Sequence, residues 1–110
     1  MAVAYKVLGQ SAPANTSNAT LYTVPSVTSA VVSTIAIANV TASSATARVF
    51  VVKSGGSAAA SNALVYDAVF AANSTTTFTI GVTLATGDAL LVQTGTANAL
   101  TFQAFGSEIS

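Results

Sequence analysis

The chain has 110 residues, 5% of them charged, with three basic and three acidic side chains and a formal net charge of zero, against about 25% charged residues in ordinary soluble domains. Three cations, Lys6, Arg48 and Lys53, cannot form the basic stripe that displaces counterions from a phosphate backbone, so no nucleic-acid partner is expected. Cysteine and histidine are both absent, which excludes disulfides and thiolate nucleophiles and removes the commonest general base and metal ligand; no cofactor or metal is expected.

The length suits one domain, 1–110, with one core. Apolar residues alternate with Ser, Thr and Asn at period two along most of it, the pattern of half-buried strands, and no segment has helical periodicity. A first strand is predicted over Val3–Gln10, followed by a loop, Ser11–Ala19, rich in turn formers. Leu21–Val24 makes a short strand that stops at Pro25, which has no N–H for a ladder, and Ser26–Ser29 makes a turn. Val31–Ala38 has the strongest strand pattern, with Val31, Ser33, Ile35 and Ile37 expected inward and Val32, Thr34, Ala36 and Ala38 outward. After a turn at Asn39–Ser44, Ala45–Lys53 is its expected hairpin partner.

Ser54–Asn62, with Gly55, Gly56 and a run of Ala and Ser, reads as a flexible connection rather than a helix. Leu64–Phe70 is predicted as a strand with Leu64, Tyr66 and Ala68 opposite Val65 and Val69. A turn at Ala71–Ser74 leads to Thr75–Val82, with Phe78 and Ile80 inward. Leu84–Asp88 contains Gly87 and Asp88, a pair suited to a tight turn, and closes an expected second hairpin with Ala89–Thr94. Gly95–Asn98 turns the chain into a last strand, Leu100–Phe105, before a short tail, Gly106–Ser110. The fold class is therefore all-β: a single antiparallel β-sandwich, jelly-roll or Ig-like, of about eight short strands.

Chemistry-bearing constellations are sparse. Asp67, Asp88 and Glu108 are the only carboxylate side chains, and nothing in their spacing makes a glycosidase pair. Asp88 is expected to bond nearby backbone N–H groups, Asp67 to be a strand-edge charge that discourages pairing with other sheets, and Glu108 to lie in the tail. A serine or threonine nucleophile would depend on Lys6 or Lys53, and neither stands in a Ser-x-x-Lys arrangement. Asn15, Asn18, Asn39 and Asn73 head Asn-x-Ser/Thr triplets and read as turn asparagines. Tyr5, Tyr22 and Tyr66 are spaced as core and interface residues. No catalytic residue is assigned and the chain is read as a non-enzyme. Its longest apolar stretch, Ala30–Val40, is interrupted by polar residues and falls short of the ~20 residues of a membrane helix, so no membrane partner is expected.

Several segments together resemble a group of small proteins encoded among the structural genes of tailed bacteriophages: Ala4-Tyr5-Lys6-Val7-Leu8-Gly9-Gln10, Leu21-Tyr22-Thr23-Val24-Pro25, Val31-Val32-Ser33-Thr34, Gly81-Val82-Thr83-Leu84 with Gly87-Asp88, and Phe105-Gly106-Ser107-Glu108-Ile109. The resemblance implies a virion component acting through protein–protein contact, with a capsid decoration (cement) protein on the head favoured and a tail, baseplate or fibre component as the alternative. The implied partners are the major capsid protein or other virion proteins, and further copies of the chain, with a trimer as the expected homo-oligomer. Ala4, Tyr5, Lys6, Val7 and Leu8 form the candidate contact segment. A carbohydrate-binding module is a weaker alternative, since sugar platforms favour exposed Trp and the chain has none.

Overall fold

The computed structural model describes residues 2–110. The alternating pattern forms eight strands: β1 (Val3–Ser11), β2 (Ala19–Thr23), β3 (Ser29–Asn39), β4 (Ala45–Val52), β5 (Ala63–Phe70), β6 (Thr75–Leu84), β7 (Ala89–Thr94) and β8 (Leu100–Ile109). They build two antiparallel four-stranded sheets, ordered β1-β8-β3-β6 and β2-β7-β4-β5. Four of the six strand pairings nest, β1 with β8, β2 with β7, β3 with β6 and β4 with β5, and β4 and β5 are the sequence neighbours that share a sheet. Eight strands nested in this way over two sheets are a jelly roll, which resolves the choice left open between jelly-roll and Ig-like.

Both hairpins expected from the sequence are therefore corrected. β3 and β4 lie in opposite sheets, as do β6 and β7. Short connections ordinarily favour hairpins, but here the corners are held open by side chains. Asn39, 3% exposed, donates to the carbonyl oxygens of Ser43 at 2.9 Å and Phe70 at 3.1 Å and accepts from the Thr41 N–H at 3.0 Å, so it joins the β3–β4 corner to the end of β5. At the β6–β7 corner Asp88 accepts from the backbone N–H of Ala85 at 2.9 Å and of Ser54 at 3.0 Å, the turn role expected for it. Crossing between sheets lets consecutive strands bury their apolar faces against each other across the core.

That core takes Ala30, Val32, Ile35 and Ile37 from β3, Leu100, Phe102 and Ala104 from β8, Leu90 and Val92 from β7, and Ala45, Ala47 and Val49 from β4. Ile35 and Ile37 point inward as expected, but so does Val32, and the assigned faces are wrong before residue 34. A register shift between Val32 and Thr34 inserts one residue, and one residue exchanges the two faces of a strand. Strand irregularities displace residues in two more places. Ile80 is 46% exposed rather than inward, because the strand is interrupted opposite the β3 bulge at Gly81, whose φ of +61° suits a residue without a Cβ. In β5, Asp67 has φ +57° at a register shift between its neighbours, which moves Ala68 to the face of Val65.

Ser54–Asn62 is not wholly irregular: Ala60–Asn62 forms a 3-10 turn. The connection opens on a tight turn in which the Gly56 N–H donates to the Lys53 carbonyl at 2.8 Å. Finally, residues 106–109 are no tail. β8 continues to Ile109 because it has a partner on each side, β1 and β3.

Candidate assembly surface

The first strand is the one of the eight that contains no buried residue. Leu8 alone in it packs, partly, against the core, and it sits where the β1–β8 register shifts between Val7 and Gly9. Upstream of that bulge the strand alternates cleanly. Tyr5, 86% exposed, projects outward with Val3 and Val7, both 50% exposed. Their β8 partners are Ile109, Ser107 and Phe105, and β3 adds Val31 opposite Ser107. Tyr5, Lys6, Val7, Val31, Ser33, Phe105, Gly106 and Ser107 line a shallow groove of about 470 Å³ on the outer face of this sheet, with the Lys6 ammonium drawn away to Glu108.

The candidate segment is thus split by the pleat. Tyr5 and Val7 join the groove, Ala4 and Lys6 turn to the other side, and Leu8 turns to the core. Val31, Ser33, Phe105 and Ser107 complete the surface and were not included in the expectation from sequence. The signal for them is their alternation with the buried Val32 and Ala104. Tyr5 and Tyr66, at 86% and 50% exposure, are surface residues, and Tyr22 at 8% is a core residue.

Charge is absent from this outer face. The strands of the sheet carry two charged side chains, Lys6 and Glu108, and these meet on its opposite side at 2.6 Å. The Tyr22 hydroxyl, reaching across from β2, donates to the other oxygen of Glu108 at 2.6 Å. The Lys6 ammonium, then the Tyr22 hydroxyl, hold the Glu108 carboxyl below its ordinary range. Burial, reinforced by the carboxylate, pushes the Tyr22 phenol above its own. The trio fastens β1 and β8 to β2, giving Glu108 a structural position rather than the solvated one expected of a tail.

The other sheet presents a polar hollow of about 290 Å³, lined by Thr16, Thr46, Arg48, Asp67, Gln93 and Thr94 among others. Arg48 donates through Nε and Nη2 to the two oxygens of Asp67 at 2.6 and 3.0 Å, and its guanidinium lies 4.1 Å from the centre of the Tyr66 ring. The guanidinium holds the Asp67 carboxyl below its usual range, and two backbone N–H bonds, from Ala85 and then Ser54, do the same for Asp88. All three carboxyl groups are therefore biased to the ionised form.

No protein-family model and no curated protein sequence matches the chain. Its fold is similar to part of a chain in the solved structure of infectious bursal disease virus, Gx strain, with a TM-score of 0.50 and 14% sequence identity. The match covers 97% of this chain and 31% of the viral one, so this chain spans about a third of the protein it resembles. At that identity the likeness is one of fold.

Proposed function

We propose that the chain is a structural subunit of a virus particle, acting by protein–protein contact and not by catalysis. The observation that carries this reading is the uncharged outer face of the β1-β8-β3-β6 sheet, where Val3, Tyr5 and Val7 stand half or more exposed around an apolar-lined groove. Burying such a face against another protein desolvates no charge, and contiguous exposed apolar surface is characteristic of interaction sites. The fold likeness to a viral chain and the resemblance of five sequence segments to phage virion proteins favour a particle as the place where that face is covered.

Within this reading we favour a decoration protein of a tailed-phage head, bound to the major capsid protein. A subunit that binds the assembled shell and not its free parts stabilises the shell by mass action. Quantitative mass spectrometry of purified particles, with labelled antibody against the chain, tests both levels. Hundreds of copies spread over the head support decoration. A handful at one vertex moves the chain to the tail, and absence from particles overturns the virion reading altogether.

A further inference from the structure

The two sheets treat their edges differently. In β2-β7-β4-β5 both outer strands are blunted: β2 has five residues and ends before Pro25, and β5 contains two register shifts, one of them at Asp67, whose φ is +57°. These are the usual defences against edge-to-edge pairing. At β1 they are missing from Val3 to Val7. That run has no proline and no bulge, and its one charge, Lys6, is engaged by Glu108 of the same chain.

The hydrogen-bond phase of this edge follows from its inner side. Ala2 and Ser110 exchange both backbone bonds, at 2.7 and 2.9 Å, so alternate residues Ala4 and Lys6 bond to β8 while Val3, Tyr5 and Val7 turn their N–H and C=O groups outward. A second strand can bind there only by setting its own outward-facing residues opposite these three. A second copy of the same strand does so, antiparallel, about a twofold axis through Tyr5: Tyr5 faces Tyr5, and Val3 faces Val7 at each end. The sequence from Val3 to Val7 is symmetric in this respect, apolar at positions 3, 5 and 7. The twofold also sets each Lys6 opposite an Ala4, so like charges are not directly opposed.

From this self-complementary register we infer that the chain forms an isologous dimer through β1, joining two four-stranded sheets into one eight-stranded sheet with Tyr5 on the axis. The three facing pairs exchange two backbone bonds each, and the outer grooves of the two copies become neighbours on one continuous face. The contact does not depend on the virion reading, because a purified chain would make it alone. A trimer through β1 would require β1 to meet a different edge, for which β6 is the unpaired candidate in the same sheet.

Because the chain contains no cysteine, Tyr5→Cys places a unique thiol on the axis. Directly opposed residues in a hydrogen-bonded pair lie about 5.5 Å apart between Cα atoms, within disulfide reach. Under mild oxidation the Tyr5→Cys chain is expected to become almost wholly a covalent dimer, at concentrations where Thr77→Cys, exposed on β6, forms no disulfide cross-link. By sedimentation equilibrium the unmodified chain is expected to be a dimer. Tyr5→Pro, which removes an outward N–H and no bond to β8, should weaken it about tenfold or more while keeping the β-sheet circular dichroism. A monomeric unmodified chain, equal cross-linking at both positions, or trimers and open-ended oligomers through β1 and β6 would each overturn the inference. Should Tyr5→Pro fail to fold, the cross-linking comparison decides alone.

Discussion

Replacing Asn39 by alanine removes a side chain that is 3% exposed and bonded on both ends of its amide. Its Nδ2 donates to Ser43 and Phe70 carbonyls, and its Oδ1 accepts from the Thr41 N–H and, at 2.8 Å, from the Thr41 hydroxyl. The hydroxyl keeps an alternative acceptor in the Ser43 carbonyl at 3.0 Å, so three of these four bonds are lost without replacement. At about 0.5–1.5 kcal/mol net for each, the expected destabilisation is about 3 kcal/mol. For a chain of this size that is a fall of roughly 12 °C in thermal midpoint, taking about 4 °C per kcal/mol. Urea and thermal unfolding followed by circular dichroism measure it. Asn39→Asp retains the acceptor but sets a negative charge against two carbonyl oxygens, so it should be worse than alanine at neutral pH and recover in part as the pH falls and the carboxyl, its pKa raised by burial and the facing oxygens, takes up a proton. A loss below about 1 kcal/mol for Asn39→Ala would refute the claim that this amide holds the two corners together.

Other positions give independent checks. Gly106→Ala places a methyl group on the backbone carbonyl of Val31, where no side chain can swing away, so its unfolding midpoint should fall further than that of Gly81→Ala. The latter has open space around the added carbon and suffers mainly the positive-φ penalty, about 1 kcal/mol; the reverse order in urea titrations would show that β3 and β8 separate easily. Because the folded-state carboxyl of Glu108 lies below its ordinary value, its contribution is present above about pH 4.3 and is lost as pH falls through the depressed folded value. Glu108→Gln should flatten the acid limb of the stability profile measured by thermal melts. On the outer face, Val7→Lys should leave the unfolding free energy within about 0.5 kcal/mol of the parent and abolish co-sedimentation with particles; full retention on particles would place the contact elsewhere.

Strand positions were legible because alternation is local. Ile35 and Ile37 face the core, and Gly87-Asp88 makes its turn, for reasons contained in a few neighbouring residues. The composition likewise led to an all-β chain, since no helical segment existed to connect parallel strands. What could not be read was whatever depends on a partner strand. A bulge at Ser33 or Asp67 changes the phase of everything beyond it, whereas the break at Gly81 turns out Ile80 alone and leaves Phe78, Val82 and Leu84 on one face; of the three only the glycine leaves a mark in the sequence. Asn39 looks like any turn asparagine until the end of β5 is brought beside it.

The candidate surface divides in the same way. Tyr5 and Val7 could be singled out from β1 alone, whereas Val31, Ser33, Phe105 and Ser107 reach the groove from strands up to a hundred residues away along the chain. Sequence by itself determined where strands begin, which residues turn, and how little charge the surface holds, because those properties belong to short stretches of chain. Tertiary structure alone decided that neighbours in sequence lie in opposite sheets, that residues 106–109 are a paired strand, and which edge stays open. Those outcomes are set by burying two apolar sheet faces against each other, a requirement met by the chain as a whole.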